Sequence, residues 1–79
     1  MENLSSNDIS SREEINKLLS TANKHLLEEK LPKARKEYLN LIVNKKIEHP
    51  AIRLNLGLAF DMDQKYDKAI EMYQSNLNL

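Results

Sequence analysis

Apolar residues recur at three- and four-residue steps along most of this chain. Ile15, Leu18, Leu19, Ala22, Leu26 and Leu27 share that spacing, which is one face of a helix. Ser10 and Ser11 each stand three residues before a glutamate, Glu13 and Glu14, the spacing of a capping box. The pattern predicts a first helix from near Arg12 to about Glu29. Pro32 fits the first turn of a helix but not its interior, so it marks a break and a restart. Ala34, Tyr38, Leu41 and Ile42 then carry a second helix to about Lys45. Pro50 opens a third, filled by Ile52, Leu54, Leu56, Leu58, Ala59, Phe60 and Met62. The stretch "DQKY" interrupts it, and Tyr66, Ala69, Ile70, Tyr73 and Leu77 make a fourth that runs to the last residue. No β-alternation of useful length competes. The expectation is an all-α fold of four helices in two stacked antiparallel hairpins spanning residues 11–79. The polar lead "MENLSSNDIS" is expected to be disordered.

Sliding the chain against itself by 35 residues aligns Leu19 with Leu54, Ala22 with Gly57, Lys30 with Lys65, Lys33 with Lys68, Ala34 with Ala69 and Tyr38 with Tyr73. The sequence is one helical hairpin written twice. Gly57, the only glycine, lies inside an apolar run, where it costs about 1 kcal/mol relative to Ala. The repeat gives it a role. In both copies a small residue is followed by Ala and then Tyr at the same spacing. Two helices approach closely only where both are small, and an aromatic one turn on fills the space beside them. Ala22, Ala34 and Tyr38, then Gly57, Phe60, Tyr66, Ala69 and Tyr73, are the expected packing set.

These positions resemble the tetratricopeptide repeat, a 34-residue helix-turn-helix. In the second copy, residues 50–79, Leu56, Gly57 and Phe60 stand for its Leu-Gly-Tyr, and Tyr66, Ala69, Ile70 and Tyr73 for its second helix. Arg53 replaces the usual tryptophan, and Asn76 stands where a small residue is usual. In the first copy, about residues 15–49, Leu18, Thr21, Ala22 and His25 stand for the first-helix motif, and Leu31, Ala34 and Tyr38 for the second. That copy carries one extra residue before Pro50.

The resemblance implies a right-handed solenoid fragment whose first helices line a concave groove for an extended or helical peptide. Here that groove would be Asn16, Leu19, Ser20, Asn23, Leu26 and Leu27, then Ala51, Leu54, Asn55, Leu58, Asp61 and Met62. Leu19 and Leu54 could equally be interhelix core. Ile70, Tyr73 and Leu77 of the last helix would normally be partly covered by a following helix, so they form a candidate self-association face. Asn23 and Asn55 sit where one subfamily clamps the terminal carboxylate of heat-shock chaperones. Leu19 replaces its first lysine, and the repeat supplying its other cations is missing, which argues against that ligand.

Composition narrows the rest. Seventy-nine residues allow one small domain. Twelve basic and twelve acidic residues cancel, so the overall field steers neither nucleic acid nor an anionic membrane. The absence of cysteine excludes disulfides and thiolate metal sites. The N-terminal stretch does not read as a targeting peptide and no apolar run spans a membrane, so a cytoplasmic protein is the expectation.

Asp61, Asp63 and Asp67 alternate like a calcium loop, but the bend glycine is missing and Met72 stands where the closing glutamate belongs. His25 and His49 are a hairpin apart, with no ligand-spaced neighbours. No catalytic triad spacing, phosphate loop or cofactor motif occurs, so neither enzyme activity, cofactor nor metal is expected. Between Lys30 and Lys46 six basic residues face one acidic residue, Glu37, leaving RNA or anionic lipid as an alternative partner of the second helix. The leading expectation is a non-catalytic scaffold or adaptor that binds a protein or peptide, with self-association as a second property. The other alternative is the N-terminal repeat segment of a longer array or of an enzyme-linked protein.

Overall fold

A computed structural model describes the backbone from Glu2 to Leu77 and the side chains from Ser11 to Leu77. Helix α1 runs Glu2–Leu27, α2 Leu31–Leu39, α3 Pro50–Met62 and α4 Tyr66–Leu77. No strand occurs among the described residues, so the fold is all-α as the periodicity predicts. The expected fourth helix includes residues 78 and 79, which lie outside the described residues. Helix α1 packs on α2, α3 on α4, and α2 on α3, so the two hairpins share one core.

The turns show the duplication at atomic detail. Glu29 and Gln64, counterparts 35 residues apart, both adopt left-handed backbone, with φ of 58° and 61°. In each copy the same hydrogen bonds close the helix: Lys30 N to His25 O at 2.8 Å and Lys65 N to Phe60 O at 2.8 Å, with Glu29 N to Leu26 O at 3.0 Å and Gln64 N to Asp61 O at 2.9 Å. This is the Schellman closure, which satisfies carbonyls that the end of a helix leaves open.

Two boundaries differ from expectation. Helix α1 begins at Glu2 rather than near Arg12, so the expected disordered lead is helical and Ser10 and Ser11 are interior residues, not caps. Neither Gly nor Pro interrupts residues 2–10, and extending an existing helix adds one hydrogen bond per residue fixed without a new nucleus. Helix α2 stops being α-helical at Leu39 and continues as a π turn over Asn40–Asn44, closed by Lys45 N to Asn40 O at 3.1 Å. That turn lies in the stretch carrying the extra residue of the first copy. A π turn is how a helix takes up one added residue without ending.

The core is Ala22, Leu26, Leu31, Ala34, Tyr38, Leu41, Ile52, Leu56 and Ala59, with Ala69 buried beside it. It is concentrated on α1, α2 and α3; Ala69 is the one buried residue of α4. Tyr66, expected in the packing set, is instead 57% exposed. Its counterpart Leu31 is buried between helices, whereas α4 has no later helix against it among the described residues.

Candidate functional site

Helix α3 buries Ile52, Leu56, Gly57 and Ala59, which leaves another side of the helix open. On that side Leu54, Leu58 and Met62 form a row at four-residue steps, and they are 45, 39 and 46% exposed. Ala51 is half-buried and Asp61 exposed. The matching positions of α1 are mixed: Asn16 and Ser20 are exposed, and Leu27 lies open at the helix end.

Two expected groove residues belong elsewhere. Leu26 is in the core cluster and cannot line an open face, and Leu19 is half-buried against that cluster. Helical phase explains Leu26, because it lies one turn beyond the buried Ala22 and therefore on the same side of α1.

Asn23 and Asn55, on different hairpins, meet. The Asn55 amide donates to the Asn23 carbonyl oxygen at 3.1 Å, and the Tyr38 hydroxyl donates to that same oxygen. Tyr38 is fully buried, and burial pushes its hydroxyl pKa above the usual phenol value. A core tyrosine therefore fixes an amide pair beside the open apolar row. The Asn23 amide group keeps its own donors, so the pair can hold backbone while Leu54, Leu58 and Met62 hold side chains.

Charged contacts lock the frame around this face. Arg35 of α2 pairs with Asp63, the residue closing α3, at 2.8 Å and lies over the Phe60 ring at 5.3 Å. His25 and Glu37 join α1 to α2 at 2.6 Å. Lys45 pairs with Glu14 at 2.8 Å, and this hydrogen bond and charge hold the Glu14 carboxyl below its ordinary pKa. Arg35 and Lys45 are thus engaged, which thins the basic stretch to Lys33, Lys36 and Lys46, with Lys30 at 3.4 Å from Glu28. The acidic turn is likewise divided, with Asp63 taken by Arg35. His49 caps α3, its Nδ1 accepting from Ala51 N at 3.1 Å.

At the far end of α3, Arg53 donates to Ser75 Oγ at 2.9 Å and reaches Glu48 at 3.5 Å. Its Nε and the side-chain Oδ1 of Asn76 are buried without hydrogen-bond partners among the described residues. Both residues depart from the repeat pattern, so the sequence marked the place but not the polar contact built there.

No family model, curated protein or solved structure matches this chain. No helix among the described residues is long and apolar enough to cross a membrane.

Proposed function

We propose that this chain is a tetratricopeptide-type protein-binding module, a non-catalytic cytoplasmic scaffold or adaptor that holds an extended or helical peptide along α3. The observation that carries the reading is the exposed row Leu54, Leu58 and Met62 beside the Asn23–Asn55 pair. The apolar row supplies affinity and the amides supply register. The repeat pattern, repeated in the turn hydrogen bonds, supports the family assignment.

Affinity capture with the wild type and a Leu54→Glu, Leu58→Glu variant tests it. The variant is expected to lose the captured peptides or proteins while keeping its helical circular dichroism. Recovery of the same partners by both rejects the binding face. Self-association through α4 is the second property of the reading, favoured by the exposure of Ile70 and Leu77.

A further inference from the structure

Helix α2 carries on its outer side a face that the second copy does not repeat. Pro32, Lys36, Leu39 and Val43 are all exposed, Leu39 at 41% and Val43 at 62%. With Arg35 and Asn40 they line an open cleft of about 560 Å³ along α2 and the π turn. Thirty-five residues on from Pro32, Lys36 and Leu39 the chain has Asp67, Glu71 and Gln74. The duplicate shows what contact with water alone requires of this face. Helix α2 departs from it toward cations and aliphatic side chains.

The charge available at the cleft has one sign. Lys33 and Lys36 are exposed and have no ion-pair partner among the described residues. Glu37, the only carboxylate of α2, is taken by His25 at 2.6 Å, and Arg35 is taken by Asp63. Lysines beside exposed aliphatic carbon match a partner that carries carboxylates and apolar side chains together. The π turn adds polar groups at the rim, where the Asn44 amide donates to Asn40 Oδ1 at 2.6 Å. Such turns recur at functional sites.

We propose that this cleft docks an acidic amphipathic helix of a partner protein. Its apolar side chains lie on Leu39 and Val43, and its flanking carboxylates reach Lys33 and Lys36. Four-, three- and four-residue steps from Pro32 to Val43 make a ridge that the groove of a second helix accepts. Other anionic partners fit this face less well. Single-stranded RNA is held by exposed aromatic rings, and the one aromatic residue of α2, Tyr38, is fully buried. An anionic membrane broad enough to reach α4 meets Asp67 and Glu71, both exposed. A single helix needs α2 alone.

The cleft is separate from Leu54, Leu58 and Met62, so this contact and peptide binding on α3 can fail independently. The probe is a synthetic helical peptide with leucines at four-, three- and four-residue steps, flanked by glutamates. Titrated into the isotope-labelled full chain, it should shift amide resonances of residues 32–44 and leave those of 54–62 in place. Lys36→Glu and Val43→Glu should each weaken binding at least tenfold while retaining wild-type circular dichroism. Lys68→Glu, the same charge change on α4, should leave it unchanged. A peptide with lysines in place of the glutamates should bind the wild type at least tenfold more weakly and regain affinity for Lys36→Glu. Absence of saturable binding, shifts centred on α3, indifference to Lys36→Glu, loss with Lys68→Glu, or equal binding of both peptides overturns the proposal. Tighter binding of phosphatidylserine vesicles or of a polyuridine oligonucleotide also overturns it.

Discussion

Gly57→Ala isolates the close approach between α3 and α4. A methyl at Gly57 would sit 2.5 Å from Cε1, 2.9 Å from Cδ1 and 3.1 Å from Cζ of Tyr73. Carbon atoms in contact settle near 3.5–4.0 Å, so the ring would have to move by about 1 Å. Its hydroxyl lies by Asp61, one turn along α3, so the ring crosses the helix directly over the glycine. The φ of Gly57 is not positive, so backbone conformation does not demand glycine here. Overpacking of this kind costs about 1–3 kcal/mol. Against that, Ala gains about 1 kcal/mol over Gly in a helix interior. The expected net loss is about 1 kcal/mol, or roughly 4–8 °C in Tm for a domain this size.

A double-mutant cycle separates the two terms. With Tyr73→Ala in place the obstacle is gone, and Gly57→Ala should stabilise by about 1 kcal/mol, giving a coupling of about 2 kcal/mol. Urea unfolding followed by far-ultraviolet circular dichroism measures all four chains. Equal stabilisation by Gly57→Ala in both backgrounds would refute the contact as the reason for the glycine. Gly57→Leu, which adds three more carbons at the same place, should abolish folding of the second hairpin.

Glu29→Gly and Gln64→Gly should each stabilise by about 0.5–1 kcal/mol, because the left-handed backbone at both turns costs a side-chain-bearing residue about 1–2 kcal/mol that glycine avoids; thermal melts would show Tm rising for each and adding in the pair. Asn76→Leu should raise Tm by removing a buried unpartnered carbonyl, whose burial costs about 1–3 kcal/mol, and restoring the residue type that Leu41 supplies in the first copy; an unchanged or lower Tm would contradict this. The hydroxyl pKa values of Tyr38 and Tyr73 are both raised, chiefly by burial. Their contribution is therefore complete below the unfolded tyrosine pKa of about 10 and is lost as pH rises through the folded values. Melts in alkaline buffer should show that decline, and Tyr38→Phe with Tyr73→Phe should flatten it. Arg35→Ala should cost about 1–3 kcal/mol, since it removes a partly buried ion pair and a cation–π contact between the hairpins; a change below about 0.5 kcal/mol would place it with ordinary surface pairs.

The helices and their pairing were legible because periodicity, Pro32, Pro50 and the 35-residue offset all point to the same arrangement. The small-residue contacts were legible for the same reason: Ala22, Ala34, Gly57 and Ala69 leave no other use for their positions. The start of α1 was not, since capping-box spacing marks a permitted helix end and cannot show that the helix stops there. The π turn left a trace as one surplus residue, but a longer loop would leave the same trace. At the site, phase alone could have moved Leu26 into the core. The contact of Asn23 with Asn55 needed the packing of one hairpin on the other, a distance no single-chain period encodes. The engagement of Arg35 and Lys45 was hidden too, because their partners lie 28 and 31 residues away in sequence.

The differences between the two copies are what give the molecule direction. At equivalent positions the first copy has Lys17, Thr21 and Lys24 where the second has Ile52, Leu56 and Ala59, so α1 is finished toward water and α3 toward α2. Further along, the first copy has Leu31, Arg35 and Ile42 covered or held by contacts, whereas Tyr66, Ile70 and Leu77 remain open. A duplicated hairpin with identical copies would expose the same apolar surface at one end and demand it at the other, and it would polymerise. Changing the α1 face to polar side chains removes the receiving end of that polymer and keeps the donating end. What remains is an apolar face on α4, separate from the row of Leu54, Leu58 and Met62 on α3.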